Sequence, residues 1–322
     1  MQAKTTLKYI FGKMIVKYAF LCYNYPRFYV ISGEIMNSKL KNLLSMAIFG
    51  TVGIVRVYLP FTSAFIAFVR GAVGAVFLFL YRILKKQPLK LSFPKKEWIL
   101  LIISGALIGL NWILLFESYK FTGVAVATVC YYMAPIILIP AGAIFLKEKI
   151  TPKKVCCIFT ALLGVAFISG IFVEKIKGIK GIILALCAAT LYAFVIIVNK
   201  KIKTDAAPDR TVVQLAIAAL TVMPYALAAE PFKIGLFTVK AIILLLVLGI
   251  VHTGLAYVLY FGSITKLPAQ TVAMYSYTDP LVAVILSAII LKEPFSVFTA
   301  IGAVLVIGSA MVSEINLKNK IN

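Results

Sequence analysis

The 322-residue sequence predicts an all-α polytopic membrane protein: ten transmembrane helices arranged as two inverted five-helix repeats. Three observations carry this expectation. Hydrophobic residues make up 62% of the chain and the mean hydropathy is +1.01, which leaves too little polar surface for a water-soluble domain. The chain divides into apolar runs of about 20 residues, the length that crosses a bilayer as a helix. One stretch also occurs twice, since YYMAPIILIPAGAIFLKE (131–148) returns 145 positions later as SYTDPLVAVILSAIILKE (276–293).

In chain order the ten spans cover about 40–59, 62–82, 97–117, 123–146, 153–173, 178–199, 210–229, 239–261, 268–291 and 295–314. The connectors between them are short, as in packed helical bundles. Lys and Arg alternate from connector to connector. The N-terminal stretch, every second connector and the C-terminus hold 24 of them, and the opposite set holds 7. Basic connectors face the cytoplasm, so both termini are expected there, in the cytoplasmic membrane. Five spans per half is an odd number, so the two related halves insert with opposite orientation and place any binding site near the midplane between them.

The first repeat is expected over 38–173 and the second over 178–314, with a basic N-terminal extension (1–37) and a cytoplasmic tail (315–322). Lys8, Lys13 and Lys17 break the apolar content of the extension, which argues against a signal peptide or an eleventh span. Met36 precedes Asn37-Ser38-Lys39-Leu40-Lys41 as an ordinary start would, so the natural protein is expected to begin there. The alternative is a basic amphipathic segment lying on the inner membrane face.

The formal charge of +22 does not imply a nucleic-acid partner, because the basic residues sit in connectors rather than on a foldable soluble surface. The five cysteines show no CxxC or metal-ligand spacing and read as packing residues. No cofactor or metal motif is present. The expected partners are a small-molecule substrate, membrane lipid and protons.

The two copies of the repeat agree at Tyr132 and Tyr277 and at Pro135 and Pro280, but Ala134 is replaced by Asp279. Asp279 is the one acidic residue, of eleven, in the middle of an apolar run. A charge at that depth costs about 2.5–3.5 kcal/mol on insertion scales, so it should be paired, protonated or facing a wet cavity. It is a candidate proton carrier or counter-ion for a cationic substrate group. The structural alternative is a carboxylate bonded to backbone freed by Pro280. Pro135 and Pro280 each remove a backbone donor and should kink their helices at the midplane, opening a cavity lined by Tyr132 and Tyr277. Tyr131, Tyr275 and Met133 are weaker candidates for its wall.

Arg70, in the second span, is a candidate to bind a carboxylate or phosphate, or to pair with Glu117 at an outward gate. Arg56 lies near the end of the first span, where snorkelling is its simplest role. His252 is the lone histidine, replacing Leu107 of the first repeat. It is a candidate for a polar link to Asp279. Asn111, beside Trp112, offers an amide to a substrate or to a neighbouring helix. Asn199 and Gln214 read as interhelical or gating contacts. Gly50 and Gly53 make the first span the easiest to bend, hence the candidate moving gate.

Ten helices in two five-helix repeats, with Pro135 and Pro280 in the fourth and ninth spans and a Leu-X-Glu closing each at 146–148 and 291–293, resemble the EamA-type members of the drug/metabolite transporter superfamily. Phe49-Gly50 and Arg70-Gly71 resemble that family's Trp-Gly and Arg positions, with Phe49 in place of Trp. The resemblance spans about 38–314 and implies the ten-helix fold and metabolite transport.

The expected function is therefore a secondary transporter that moves a small polar organic metabolite, an amino acid or related compound, by alternating access at a midplane cavity. An intramembrane enzyme or a lipid-handling, scrambling protein is the alternative. The chain lacks the nucleophile–base pairs, HExxH or paired aspartates of an enzyme, and a channel fits less well because no filter-like ring of carbonyls or acids is visible.

Overall fold

A computed structural model describes residues 37–87, 89, 91–122, 127, 130–168, 178–204, 206–229, 234–286, 289–290 and 297–314. Residues 1–36 of the N-terminal extension, the C-terminal tail and the second Leu-Lys-Glu (291–293) lie outside the described residues.

The described backbone is all-helical. Span one is α1 (Ser38–Gly50) and α2 (Val52–Val57), and spans two and three are α3 (Ser63–Leu84) and α4 (Lys95–Thr122). The described C-terminal part of span four is α5 (Ala134–Leu146), and span five is α6 (Pro152–Ile168). Spans six and seven are α7 (Ile179–Lys200) and α8 (Ala207–Ala229). Span eight runs through α9 (Val239–Gly249), a π turn (Ile250–Leu255) and α10 (Ala256–Ile264). Span nine is α11 (Ala269–Tyr275) followed by α12 (Thr278–Leu286), and span ten is α13 (Val297–Glu314). Six of these stretches, Ser38–Val57, Ser63–Leu84, Lys95–Thr122, Ile179–Lys200, Ala207–Ala229 and Val239–Ile264, are long and apolar enough to cross a membrane.

Local chemistry explains where several helices begin. The Thr62 hydroxyl accepts from the Phe65 amide at the start of α3, and Thr238 does the same for Ala241 at the start of α9. Each cap satisfies a main-chain donor that the first helical turn leaves over.

The packing partners form a set that maps onto itself when the two halves are exchanged. α4 packs on α7 and α1 on α10; α3 packs on α8, α5 on α11 and α6 on α13. The first two pairs are equivalents of each other, and each of the last three is its own equivalent, as an inverted repeat requires. Small residues allow the close approaches. A Cβ on Gly105 of α4 would lie 2.8 Å from the Gln214 carbonyl of α8, and one on Gly109 would lie 2.8 Å from the Ala218 carbonyl. Buried amides add polar links. Gln214 Nε2 donates to Ser104 (2.7 Å) and to Asn199 Oδ1 (2.9 Å), and Asn199 Nδ2 donates to Ser104 (2.7 Å), so both amides serve as interhelical contacts.

Candidate functional site

Spans four and nine are both broken at the equivalent place. A turn at Tyr132–Met133 precedes α5, and a turn at Ser276–Tyr277 precedes α12. Pro135 and Pro280 sit in the first turns of the new helices, where a missing N–H costs nothing, so each proline restarts a helix instead of bending a continuous one. The breaks are bridged by short-range bonds, Ile136 N to Met133 O (2.9 Å) and Asp279 N to Ser276 O (3.4 Å). They free main-chain carbonyls, and one of these, Tyr132 O, accepts from the Tyr277 hydroxyl at 3.2 Å.

Asp279 lies in the first turn of α12, where unpaired N–H groups favour an anion. Its carboxylate senses the nearby Tyr132 hydroxyl and the Arg70 guanidinium. The expected alternative, a carboxylate tied to main chain freed by Pro280, is not the arrangement found among the described residues. Tyr277 is fully buried with its hydroxyl committed to Tyr132 O, so it joins the two halves and does not offer that hydroxyl to a cavity. Tyr275 is likewise buried in the core.

Arg70 is buried on α3, its guanidinium 4.8 Å above the Trp112 ring, with Nε donating to Thr253 Oγ1 at 3.1 Å. The expected ion pair with Glu117 does not form, because Glu117 at the helix end pairs with Lys120 one turn away. The two Nη groups of Arg70 make no hydrogen bond with the described residues and are not fully covered. Arg56 turns back to its own helix end and donates to Leu59 O at 3.0 Å.

The wall between Arg70 and Asp279 is aromatic. Ring contacts run from Trp112 to Tyr257 (6.2 Å), Tyr257 to Tyr260 (6.4 Å), Tyr260 to Tyr192 (6.4 Å), Tyr192 to Tyr131 (5.8 Å) and Tyr131 to Tyr132 (6.0 Å). The Tyr192 and Tyr260 hydroxyls are 2.8 Å apart, and Phe49 of the first span packs edge-on to Tyr257 at 5.1 Å. Tyr131, Tyr132, Tyr192, Tyr257 and Asp279 are each half-buried. Tyr192, Tyr257 and Tyr260 were not singled out from the sequence. The i, i+3, i+4 aromatic stripe of Tyr257, Tyr260 and Phe261 was the available signal, although core packing gives the same pattern. Asn111 donates to Ala188 O (2.6 Å) and accepts from the Tyr131 hydroxyl (3.4 Å), so its amide is an interhelical link that orients the wall.

The structure does not join His252 to Asp279. The π turn directs the ring to Thr51, with Nε2 2.6 Å from Thr51 Oγ1 and Nδ1 3.2 Å from Val247 O. Thr51 is the residue that separates α1 from α2. The adjacent Thr253 holds Arg70, so one irregular turn touches both the break in the first span and the buried cation. Gly50, beside Thr51, lies against α12, where an added Cβ would come within 2.5 Å of the Asp279 carbonyl; a Cβ on Gly53 would meet nothing within 4 Å.

At the Leu146-Lys147-Glu148 end of the first repeat the halves are clasped. Both Glu148 oxygens accept from the Ala269 amide at 3.0 and 2.8 Å, capping α11, and Lys200 pairs with Glu148 at 3.2 Å. Lys200 also donates to Leu267 O, and Gln270 Nε2 donates to Lys149 O at 2.8 Å. Among the described residues no cluster of potential metal ligands occurs.

The profile of the EamA-like transporter family matches residues 34–170 and 179–314, one copy in each half. The chain is 27% identical over 290 residues to the "Uncharacterized transporter YxxF" of Bacillus subtilis (strain 168), an alignment covering 88% of this chain and 91% of the relative. A 25% identity over 290 residues relates it to an "Uncharacterized transporter" of Archaeoglobus fulgidus, covering 86% of this chain and 98% of that one. "Protein RarD" of Salmonella typhi is 28% identical over 193 residues, covering 59% of this chain and 63% of that protein. A solved structure titled "Crystal structure of protein" superposes with a TM-score of 0.74 at 18% identity, covering 86% of this chain and 97% of its own; at that identity it speaks for the fold alone.

Proposed function

The chain belongs to the EamA-like transporter family, and from that premise we propose that it is a secondary transporter whose substrate sits between Arg70 and Asp279. The family and the names of its relatives support reading it as a multi-pass membrane transporter. The bias of Lys and Arg supports a location in the cytoplasmic membrane with both termini inside.

The observation that carries this reading is a buried guanidinium with uncommitted Nη donors that senses the Asp279 carboxylate beside a run of aromatic rings, with no ion pair between the two among the described residues. An unpaired buried charge is expensive, so a substrate that answers both gains binding energy unavailable to a neutral solute. The substrate class is a small polar organic metabolite with a carboxylate for Arg70 and an amine for Asp279, an amino acid or related compound. The tyrosine rings supply an apolar and cation-tolerant floor.

Alternating access then consists of rocking the halves about the broken fourth and ninth spans, with Gly50 and Thr51 as the bending point of the first. The Glu148–Lys200–Ala269 clasp closes the cytoplasmic side, and Asp279 takes up a proton or the substrate amine in turn. A panel of amino acids, nucleosides and cofactors tested for thermal stabilisation of the purified protein checks the class. Compounds bearing both carboxylate and amine should stabilise, and their N-acetylated or decarboxylated analogues should not. Stabilisation by nucleosides alone would contradict the assignment.

A further inference from the structure

Two neighbouring residues of the π turn, His252 and Thr253, each reach back to a carbonyl of α9 and forward to another helix. His252 Nδ1 lies 3.2 Å from Val247 O and Nε2 2.6 Å from Thr51 Oγ1, while Thr253 donates to Leu248 O at 2.8 Å and accepts from Arg70. The turn is seated on α3, where a Cβ on Gly74 would lie 3.0 Å from the Gly249 carbonyl. The Thr51 hydroxyl also lies 2.7 Å from Ile48 O of its own helix. One hydroxyl proton cannot serve both Ile48 O and His252. An imidazole with a single ring proton makes both of its contacts only when Nδ1 donates to Val247 O and Nε2 accepts from Thr51. Ile48 O is not left bare by this choice, because the Thr51 amide still donates to it at 3.1 Å. Thr51 is therefore joined to span eight and not back-bonded to α1.

The two sides of Thr51 are held differently. On the α1 side, Asn42 donates to Ser263 of α10 at 3.0 Å and Gly50 lies against α12, so that half is anchored. On the α2 side, a Cβ on Gly53 would meet open space, and the chain to Phe61 rests on α9 and the start of α3 through an apolar patch of its own, separate from the main core. Val55, Leu59, Phe61, Ile66, Leu244 and Leu248 form that patch, with Lys240 4.7 Å above the Tyr58 ring at its rim. Apolar contact is not directional, whereas the bond from Thr51 to His252 fixes where α2 starts. We propose that Thr51 and His252 are positioning residues of the transport cycle, the latch of a lid formed by the half of span one from Val52 to Phe61, at the end of the bundle away from the Glu148 clasp. The role of such a lid rests on the transporter reading, and Thr253 places the latch on the turn that holds Arg70. The latch itself is measured without substrate, so its failure and that of the substrate assignment are separate results.

The test places a reporter cysteine behind the lid, Leu244→Cys, in the full-length protein in nanodiscs, and reads the rate of labelling by a hydrophilic maleimide against a blank without the reporter. Thr51→Val and His252→Leu should each speed labelling about fivefold, the shift in open population given by roughly 1 kcal/mol for one net hydrogen bond. The double variant should label no faster than either single one, because both remove the same bond. Thr51→Ser, which keeps the hydroxyl, should label as the unaltered protein does. A second reporter, Val165→Cys, buried on α6 far from the lid, should keep its rate in every variant. Unchanged labelling of Leu244→Cys in both single variants would overturn the proposal, as would a double variant in which the two effects multiply or a Thr51→Ser protein that behaves like Thr51→Val. An equal rise at Val165→Cys would also overturn it, by assigning the effect to general loosening of the bundle.

Discussion

Tyr277 donates its hydroxyl to the main-chain carbonyl of Tyr132, and these two residues are each other's equivalents in the repeat, 145 positions apart. Their rings stand 6.3 Å apart. Equivalent residues of two halves meet only where the axis relating the halves passes between them, so the pair marks that axis. The symmetry is broken in one respect. The Tyr132 hydroxyl lies near the Asp279 carboxylate, for which the first repeat has Ala134.

The two tyrosines should therefore respond differently to loss of the hydroxyl. Tyr277→Phe leaves the carbonyl of Tyr132 without its partner in a buried setting and should destabilise the protein by about 1–3 kcal/mol. Tyr132→Phe removes a hydroxyl near the carboxylate and should leave the unfolding temperature nearly unchanged while altering the pH profile of uptake. Thermal unfolding in detergent, with uptake into proteoliposomes, separates the two effects.

Gly50 and Gly53 form an internally controlled pair. A Cβ at Gly50 runs into the Asp279 carbonyl, so Gly50→Ala should displace α12, cost about 1–3 kcal/mol and depress transport. Gly53→Ala enters open space and should be silent in both measurements. Loss of function in the Gly53 variant alone would show that bending at Gly53, and not close packing at Gly50, is what the first span needs.

Much of this was legible in the sequence. The ten helices and the two repeats follow from hydropathy and from the internal repeat, both local properties of the chain, whereas the kinks expected at Pro135 and Pro280 are breaks at which each proline restarts a helix. Side-chain partners were not legible in the same way. His252 was expected to reach Asp279 on grounds of similar depth, but the π turn adds a residue to the helix and directs the ring to Thr51. Glu117 was expected to answer Arg70, but it lies at the helix end, where Lys120 is a nearer and more exposed partner. The Tyr192–Tyr260 pair joins α7 to α10 across 68 residues, and no spacing rule connects residues on helices that are not adjacent in the chain.

The clasp at Glu148 predicts a shift in the resting conformation. Glu148→Gln weakens the pairing with Lys200 and one acceptor of the α11 cap together, and Lys200→Met removes the cation while keeping the stem. Each should raise the reactivity of a cysteine placed at Gln270 towards a membrane-impermeant maleimide added from the cytoplasmic side. Unchanged reactivity in both would show that the clasp does not hold that side shut.

Arg70→Lys keeps the charge but loses the planar fork and the stack over Trp112. Stabilisation of the purified protein by a ligand bearing both carboxylate and amine should fall at least tenfold in apparent affinity, with the ligand-free unfolding temperature unchanged. A lowered ligand-free unfolding temperature with unchanged ligand affinity would assign Arg70 to structure and not to recognition.

The central claim is that Asp279 carries a proton or a cationic group at the midplane. Initial uptake against pH, measured in proteoliposomes for the unaltered protein and for Asp279→Asn with the radiolabelled compound that most stabilises the protein, tests it most directly. The amide keeps the shape and one acceptor but cannot ionise. The expected result is pH-dependent uptake in the unaltered protein and its loss in the variant, at equal expression and unfolding temperature; equal rates and equal pH profiles would contradict the claim.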